Sequence, residues 1–369
     1  MLESSTMAVS GETQEELAVE AELVEEVERD EAKATRSLWL GLISLGILVL
    51  LVVALVLAVP GLHDVGHRIA DMWLPDVGLG VVFEILSCLG YVLAFMQVFD
   101  RAPLRLAARV ALSELAFGTA VSLGGAGSIA IGTLLLTERG APAGRVVERS
   151  AVLFLLTSAI NVIVLAVVGL LAWVGILPGT TDPLLTLLPG GISLLVFVGF
   201  FALPRICDRF VTDRYTGKIA GGLRNTAKVV ADTKHLLFTT DWRLVGAFAF
   251  LLADIFVLVL CFAALGKYPP IAVIVLAYQI GYMSNLIPIP GGIGVLDGSF
   301  VAMFALFGVG VGEATSATIV YHAISLWVPA LWGTIAFILL RRTRKEPLVL
   351  RPPRAERKAL RAAARNAQT

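Results

Sequence analysis

From residue 38 onward the chain alternates long apolar runs with short polar connections. Runs of spanning length occupy 38–59, 77–99, 151–176, 184–203, 244–265 and 315–340. A hydrocarbon core of about 30 Å needs about 20 apolar residues of helix, so each run predicts one full span. Two further apolar stretches, 110–136 and 271–309, are broken near their middles. The first carries Ser-Leu-Gly-Gly-Ala-Gly-Ser from Ser122, the second Pro-Ile-Pro-Gly-Gly-Ile-Gly from Pro288.

The connections decide how the broken stretches run. Lys and Arg gather at Lys33 with Arg36, at Arg101, Arg105 and Arg109, at Arg139, Arg145 and Arg149, along 205–243, and at Arg341, Arg342, Arg344 and Lys345. The remaining connections carry Asp64, Asp71, Asp76, Asp182 and Glu313, with Arg68 and Lys267 as their basic residues. Basic short loops stay cytoplasmic. The six ordinary spans alternate correctly only if 110–136 enters and leaves on the cytoplasmic side and 271–309 on the outer side. A double crossing by 110–136 is too long for its chain, since about 27 residues of helix cover roughly one bilayer thickness. A single crossing would strand Arg139 to Arg149 outside. The expected fold is an all-α polytopic membrane protein with six full spans plus two re-entrant broken-helix hairpins in an inverted repeat, as in transporters. It predicts a multi-pass inner-membrane protein with both termini cytoplasmic. Close helix packing is the alternative reading of the glycines, but it does not explain why the two breaks face opposite sides.

Composition agrees: 57% of residues are hydrophobic and 16% charged, with a mean hydropathy of +0.85, far from an average soluble domain. A formal net charge of zero hides an acidic start and an arginine-rich end. Residues 1–36 read as an acidic, mostly disordered cytosolic arm and 342–369 as a basic cytosolic tail. Between them, 37–341 forms the membrane domain, with halves 37–204 and 243–341 joined by a basic linker, 205–242. That linker alternates Arg and Lys with Ile, Leu and Val, the pattern of an amphipathic helix lying on anionic lipid. The first apolar run follows acidic residues and has full spanning length, so it reads as a retained helix and not a cleaved signal. The three cysteines, Cys88, Cys207 and Cys261, are too scattered for a disulfide framework or a metal cluster. No phosphate-binding loop, zinc-binding His-Glu-x-x-His or serine elbow occurs in the sequence, which leaves ATP-driven and common hydrolytic chemistries without a motif. No cofactor and no nucleic-acid partner is expected.

The breaks carry the candidate chemistry. At Pro288, Pro290, Gly291, Gly292 and Gly294 the chain cannot stay a regular helix, and irregular backbone at membrane depth must line protein or a water-filled cavity. A helix restarting near Gly294, and another after Gly127 in the Gly124, Gly125, Gly127, Ser128 stretch, would aim free amides into that cavity from opposite sides, suiting a phosphate or carboxylate. Ionisable residues inside spans are costly and default to functional candidates: Glu84, Glu114, Asp254, Asp297 and His322. Glu84 also fits a protonated packing carboxyl, and Glu114, near the cytoplasmic entry of its hairpin, a hydrated one. His322 fits either a ligand or a neutral histidine bonded to a backbone carbonyl, and Asn285 either a ligand or a helix cap. Tyr321, Trp327 and Trp332 have the spacing of packing or anchoring aromatics.

Asn285-Leu-Ile-Pro-Ile-Pro-Gly-Gly-Ile-Gly-Val-Leu-Asp-Gly and Tyr321-His-Ala-Ile-Ser-Leu-Trp-Val-Pro-Ala-Leu-Trp-Gly resemble the lysylphosphatidylglycerol synthase transmembrane family of flippase-like, UPF0104-type membrane proteins. Weaker similarity extends over about 40–340, including Asp254 in Leu-Ala-Asp-Ile-Phe and the stretch ending in Glu138-Arg139-Gly140. The resemblance implies a lipid translocator or a partner of lipid-modifying enzymes, with the proline-glycine motif lining a central cavity. Asp297 stands where relatives commonly have glutamate, and His322 where they often have arginine. The first hairpin lacks the proline and glutamate-arginine pattern of relatives, offering Ser122, Ser128 and Thr133. The leading expectation is a non-enzymatic facilitator for a phospholipid or a polyprenyl-phosphate-linked lipid. Alternatives are a non-transporting lipid-binding subunit that positions a lipid-modifying enzyme or glycosyltransferase, and an intramembrane hydrolase built on Asp254 and Asp297.

Overall fold

The computed structural model describes residues 63–99, 102–120, 126–210, 218–239, 241–286 and 295–342, with 35–36, 38–44, 46–47 and 50. Among these the chain is helical throughout its ordered elements. The helices are α1 (His63–Ala70), α2 (Leu74–Val98), α3 (Leu104–Ala120), α4 (Ala126–Thr137), α5 (Ala143–Trp173), α6 (Leu187–Phe210), α7 (Lys218–Phe238), α8 (Leu244–Ala264), α9 (Ile271–Gly281), α10 (Val295–Leu306) and α11 (Val311–Arg342). A 3₁₀ turn, Tyr282–Leu286, continues α9. Five of them, α2, α5, α6, α8 and α11, are long and apolar enough to cross a membrane. They coincide with five of the six expected spans, most overshooting the predicted ends by a few residues. Most of the remaining run, 38–59, lies outside the described residues, although 38–44 is helical.

The bundle is inside-out by the standards of a soluble protein. Leu195, Val198, Val245, Leu331 and Ile335 are exposed, while Glu84, Gln97, Glu114, Gln279 and His322 are buried. An apolar outer face of this extent suits lipid, where leaving it uncovered costs nothing.

At its centre α2 and α8 run antiparallel. Met96 pairs with Arg243 at one end, whose Nη1 donates to the Met96 carbonyl at 2.7 Å. Ser87 Oγ donates to the Phe250 carbonyl at 2.8 Å in the middle, and at the far end the Trp73 amide donates to Ala264 at 2.9 Å. Gly90 and Gly246 allow this contact. A Cβ on Gly90 would lie 2.5 Å from the Phe250 amide nitrogen, and one on Gly246 2.7 Å from the Gly90 carbonyl. Small residues permit such backbone approach between membrane helices.

Charged connections sort to the two ends. At one, Arg149 donates to the Val98 carbonyl, Lys228 pairs with Glu148 at 2.8 Å, Arg139 donates to the Leu340 carbonyl at 3.3 Å and Arg341 reaches Thr35. Here too Arg243 forks onto Asp241 at 2.7 Å, which holds the Asp241 carboxyl below its ordinary range. At the other end Lys267 pairs with Glu313 at 2.7 Å, Gly312 lies against Arg68 and Gly179 against Val273. The α3–α4 pair starts beside Val98 and ends at Arg139, both at the basic end. The α9–α10 pair starts next to Lys267 and ends just before Glu313, both at the acidic end.

The second arms of the two pairs stop in the same way. Gly140 (φ 84°) follows α4 and Gly308 (φ 82°) follows α10, each in the left-handed conformation that glycine adopts without penalty. Each is followed by a six-to-one bond, Ala141 to Leu136 at 3.1 Å and Val309 to Phe304 at 2.9 Å, the Schellman closure of a helix end. The stretch expected as a linker is largely helical: α6 continues through Pro204 to Phe210, and α7 buries Ala227, Val230 and Thr233.

Candidate functional site

α8 sets Asp254 at mid-helix, where two tyrosines from different elements converge on it. Tyr321 of α11 donates to Asp254 Oδ2 at 2.9 Å, and Tyr278 of α9 donates to the same oxygen. Both tyrosines are buried. Phe300 of α10 packs on both rings, with centroids 5.6 and 5.8 Å away. From α2, Glu84 lies alongside Asp254, between the Phe83–Phe256 stack, with centroids 4.9 Å apart, and the Ser87–Phe250 bond. Glu84 is 4% exposed, and its Oε2 has no partner among the described residues. Burying a polar atom without a partner costs on the order of 1–3 kcal/mol, so this oxygen is a point of tension in the bundle.

One residue further along α11, His322 Nδ1 meets Asp297 Oδ1 at 2.6 Å. Their side chains are 9% and 22% exposed, so the pair lies at the margin of the packed interior. Asp297 sits in the first turn of α10, where a carboxylate complements the helix N-terminus. The arms α9 and α10 touch at Gly281, where a Cβ would fall 2.4 Å from the Phe300 ring. His322 follows Tyr321 in α11, and Asp297 lies one turn before Phe300, which packs on both tyrosines. Asp254, Tyr321, Asp297 and His322, all expected site residues, therefore fall into one cluster.

The two acids of the hydrolase alternative each have partners: Asp254 takes the two tyrosine hydroxyls, and Asp297 faces His322. Among the described residues no group of three metal-capable side chains occurs.

Pro288, Pro290, Gly291, Gly292, Gly294, Gly124 and Gly125 lie outside the described residues. So do the side chains of Asn285 and Ser128, although Asn285 belongs to the 3₁₀ turn. The helix after the second break begins at Val295, as expected. The one after the first begins at Ala126, so Gly127 and Ser128 belong to its first turn.

One of the alternative readings does not hold. Glu114, which also fitted a hydrated carboxyl, is 3% exposed and accepts a 2.9 Å hydrogen bond from Tyr91. Its Oε1 has no partner among the described residues and lies over Gly132 of α4, where a Cβ would fall 1.8 Å from it. Tyr321 is a carboxylate donor as well as a packing aromatic. Tyr278 was missed; its signal was a Tyr-Gln pair, Tyr278-Gln279, inside an otherwise apolar run. A separate cleft of about 150 Å³ lies at the acidic end, lined by Arg68, Asp71, Lys267 and Glu313, away from this cluster.

Over 86 residues, 23% of its length, the chain is 36% identical to a "UPF0104 membrane protein" from Methanothermobacter thermautotrophicus (strain Delta H). It spans about a quarter (24%) of that curated relative's length. The family model described as "Lysylphosphatidylglycerol synthase TM region" matches residues 41–333, which takes in the central α2–α8 pair, both helix pairs and the acid cluster. The chain is a membrane protein of the lysylphosphatidylglycerol synthase transmembrane-region family.

Proposed function

We propose that this chain is a facilitator that moves a lipid with an anionic headgroup, a phospholipid or a polyprenyl-phosphate-linked lipid, across the cell membrane without covalent chemistry. The observation that carries this reading is the Asp297–His322 pair at 2.6 Å, set where α10 restarts after the proline-glycine break. A carboxyl–imidazole pair at a helix N-terminus, inside a bundle with an apolar outer face, is suited to exchange partners with a passing phosphate. In this reading α3–α4 and α9–α10 are re-entrant hairpins from opposite sides, run 38–59 supplies the sixth span, and the halves form an inverted repeat. The basic end is cytoplasmic, which places both termini there, with α7 against the anionic lipid surface.

The test is a proteoliposome assay with a headgroup-labelled phospholipid and an impermeant quencher. The wild-type protein is expected to expose the inner-leaflet label to the quencher, and Asp297→Asn to slow this at equal reconstitution. Wild-type vesicles that bind the lipid yet keep the inner-leaflet label protected would overturn translocation and leave the protein as a lipid-binding partner for an enzyme.

A further inference from the structure

The acid cluster contains something a passive lipid path does not need. Glu84 of α2 and Asp254 of α8 set two carboxyls side by side across the central contact, in the register fixed by the Phe83–Phe256 stack, with centroids 4.9 Å apart, and by the Ser87–Phe250 bond. Two like charges in contact in an apolar interior cannot both ionise, so one proton must be shared. The donors are unevenly divided: Asp254 Oδ2 takes hydroxyls from Tyr278 and Tyr321, whereas Glu84 Oε2 has none among the described residues. Asp254 is therefore equipped to be the carboxylate and Glu84 to carry the proton.

We propose that the Glu84–Asp254 pair is a proton-binding site that couples lipid movement to the transmembrane proton gradient. This rests on the translocation reading and adds its driving force.

The groups facing the pair give the proton a route. From α11 come Tyr321 and His322, and His322 leads to Asp297 of α10 at the second break. From α9 comes Tyr278, stacked on Tyr282 with centroids 5.4 Å apart. α2 adds Cys88, and α8 adds Cys261. Seven residues beyond Glu84, two turns along the same helix face, Tyr91 donates to the buried Glu114 of α3. Acid–tyrosine pairs thus join each central helix, α2 and α8, to the first arm of the helix pair that follows it, with the chemistry exchanged: Tyr91 with Glu114, and Asp254 with Tyr278. One cycle binds a single proton on Glu84 from one side and releases it to the other, with no covalent bond made to the lipid. Release is therefore possible only as the two carboxyls part and gain other surroundings, which ties loss of the proton to a rearrangement of α2 against α8, the packing that would open the path.

Two measurements test this. First, the infrared carbonyl stretch of protonated carboxylic acids is recorded on the purified protein at neutral pH. Glu84→Gln and Asp254→Asn should each remove the same component, and a wild-type spectrum from which neither variant removes anything overturns the site. Second, proteoliposomes with the membrane potential clamped at zero carry a pH gradient of about one unit. For one proton per lipid, the steady-state leaflet ratio should depart from unity by up to about tenfold. Glu84→Gln, which mimics the protonated form, should hold that ratio near unity. Wild-type translocation with a ratio of unity overturns coupling and leaves the translocation reading intact. If lipid does not cross at all, translocation fails and the proton site is decided by the infrared component alone.

Discussion

His322 and Asp297 face each other between neighbouring helices, and histidine is the side chain that serves as a charge switch at physiological pH. If the imidazolium helps hold a phosphate, translocation at symmetric pH should fall as pH rises from about 5.5 to 8. His322→Arg, permanently charged and able to keep Asp297 paired, should flatten that profile. A wild-type rate constant across the same range would remove the imidazolium from the headgroup path. At Glu114 the prediction concerns packing. Gly132→Ala must displace the Glu114 carboxyl, and overpacking of this kind costs about 1–3 kcal/mol. Glu114→Ala should make most of that cost vanish in the double variant, because the two side chains compete for one space. Additive losses in thermal stability would show that Gly132 matters for another reason. The sequence marked Glu84, Glu114, Asp254, Asp297 and His322 one by one, because charged residues in apolar runs stand out. Their partners were not legible: Tyr278 and Tyr91 drew no reading, because only the rotation and packing of the helices aim their hydroxyls at a carboxyl.

Hydrophobic run length located the long helices α2, α5, α6, α8 and α11, because spanning a membrane fixes both length and composition. Their ends were read less well. α5 begins at Ala143 and α11 ends at Arg342, beyond their apolar cores, since polar residues continue a helix past the hydrocarbon region. Which helices touch was hidden in a few glycines. Nothing in their sequence setting singles out Gly90 and Gly246, yet they set the central contact, with backbone so close that no side chain fits. Gly90→Val and Gly246→Val should therefore each lower stability in detergent by about 1–3 kcal/mol or more, through separation of α2 from α8. Gly144→Val, where a Cβ meets nothing, serves as the control. Equal melting temperatures for Gly90→Val and Gly144→Val would contradict the packing.

Over the whole molecule, the opposed placement of the two helix pairs is what the lipid path and its coupling both require. The charge of the connections is the ground for expecting it, because the cost of translocating Lys and Arg applies to each loop separately. What charge could not supply is the partners of each pair: α9 and α10 bring Tyr278 and Phe300 to the Asp254 site, while α3 and α4 meet at Glu114, which Tyr91 of α2 holds. The most direct test is cysteine accessibility in intact cells, starting from a Cys207→Ala variant, because Cys88 and Cys261 are buried. Single cysteines are placed at the exposed Leu104 and Ala143, which bracket α3–α4, and at the exposed Tyr268 and Val311, which bracket α9–α10. An impermeant thiol reagent added outside should label the Tyr268 and Val311 positions and leave the Leu104 and Ala143 positions unlabelled until the membrane is permeabilised. Opposite labelling of Leu104 and Ala143, or of Tyr268 and Val311, would mean that the helix pair between them crosses the membrane, and the account of two opposed hairpins would fail.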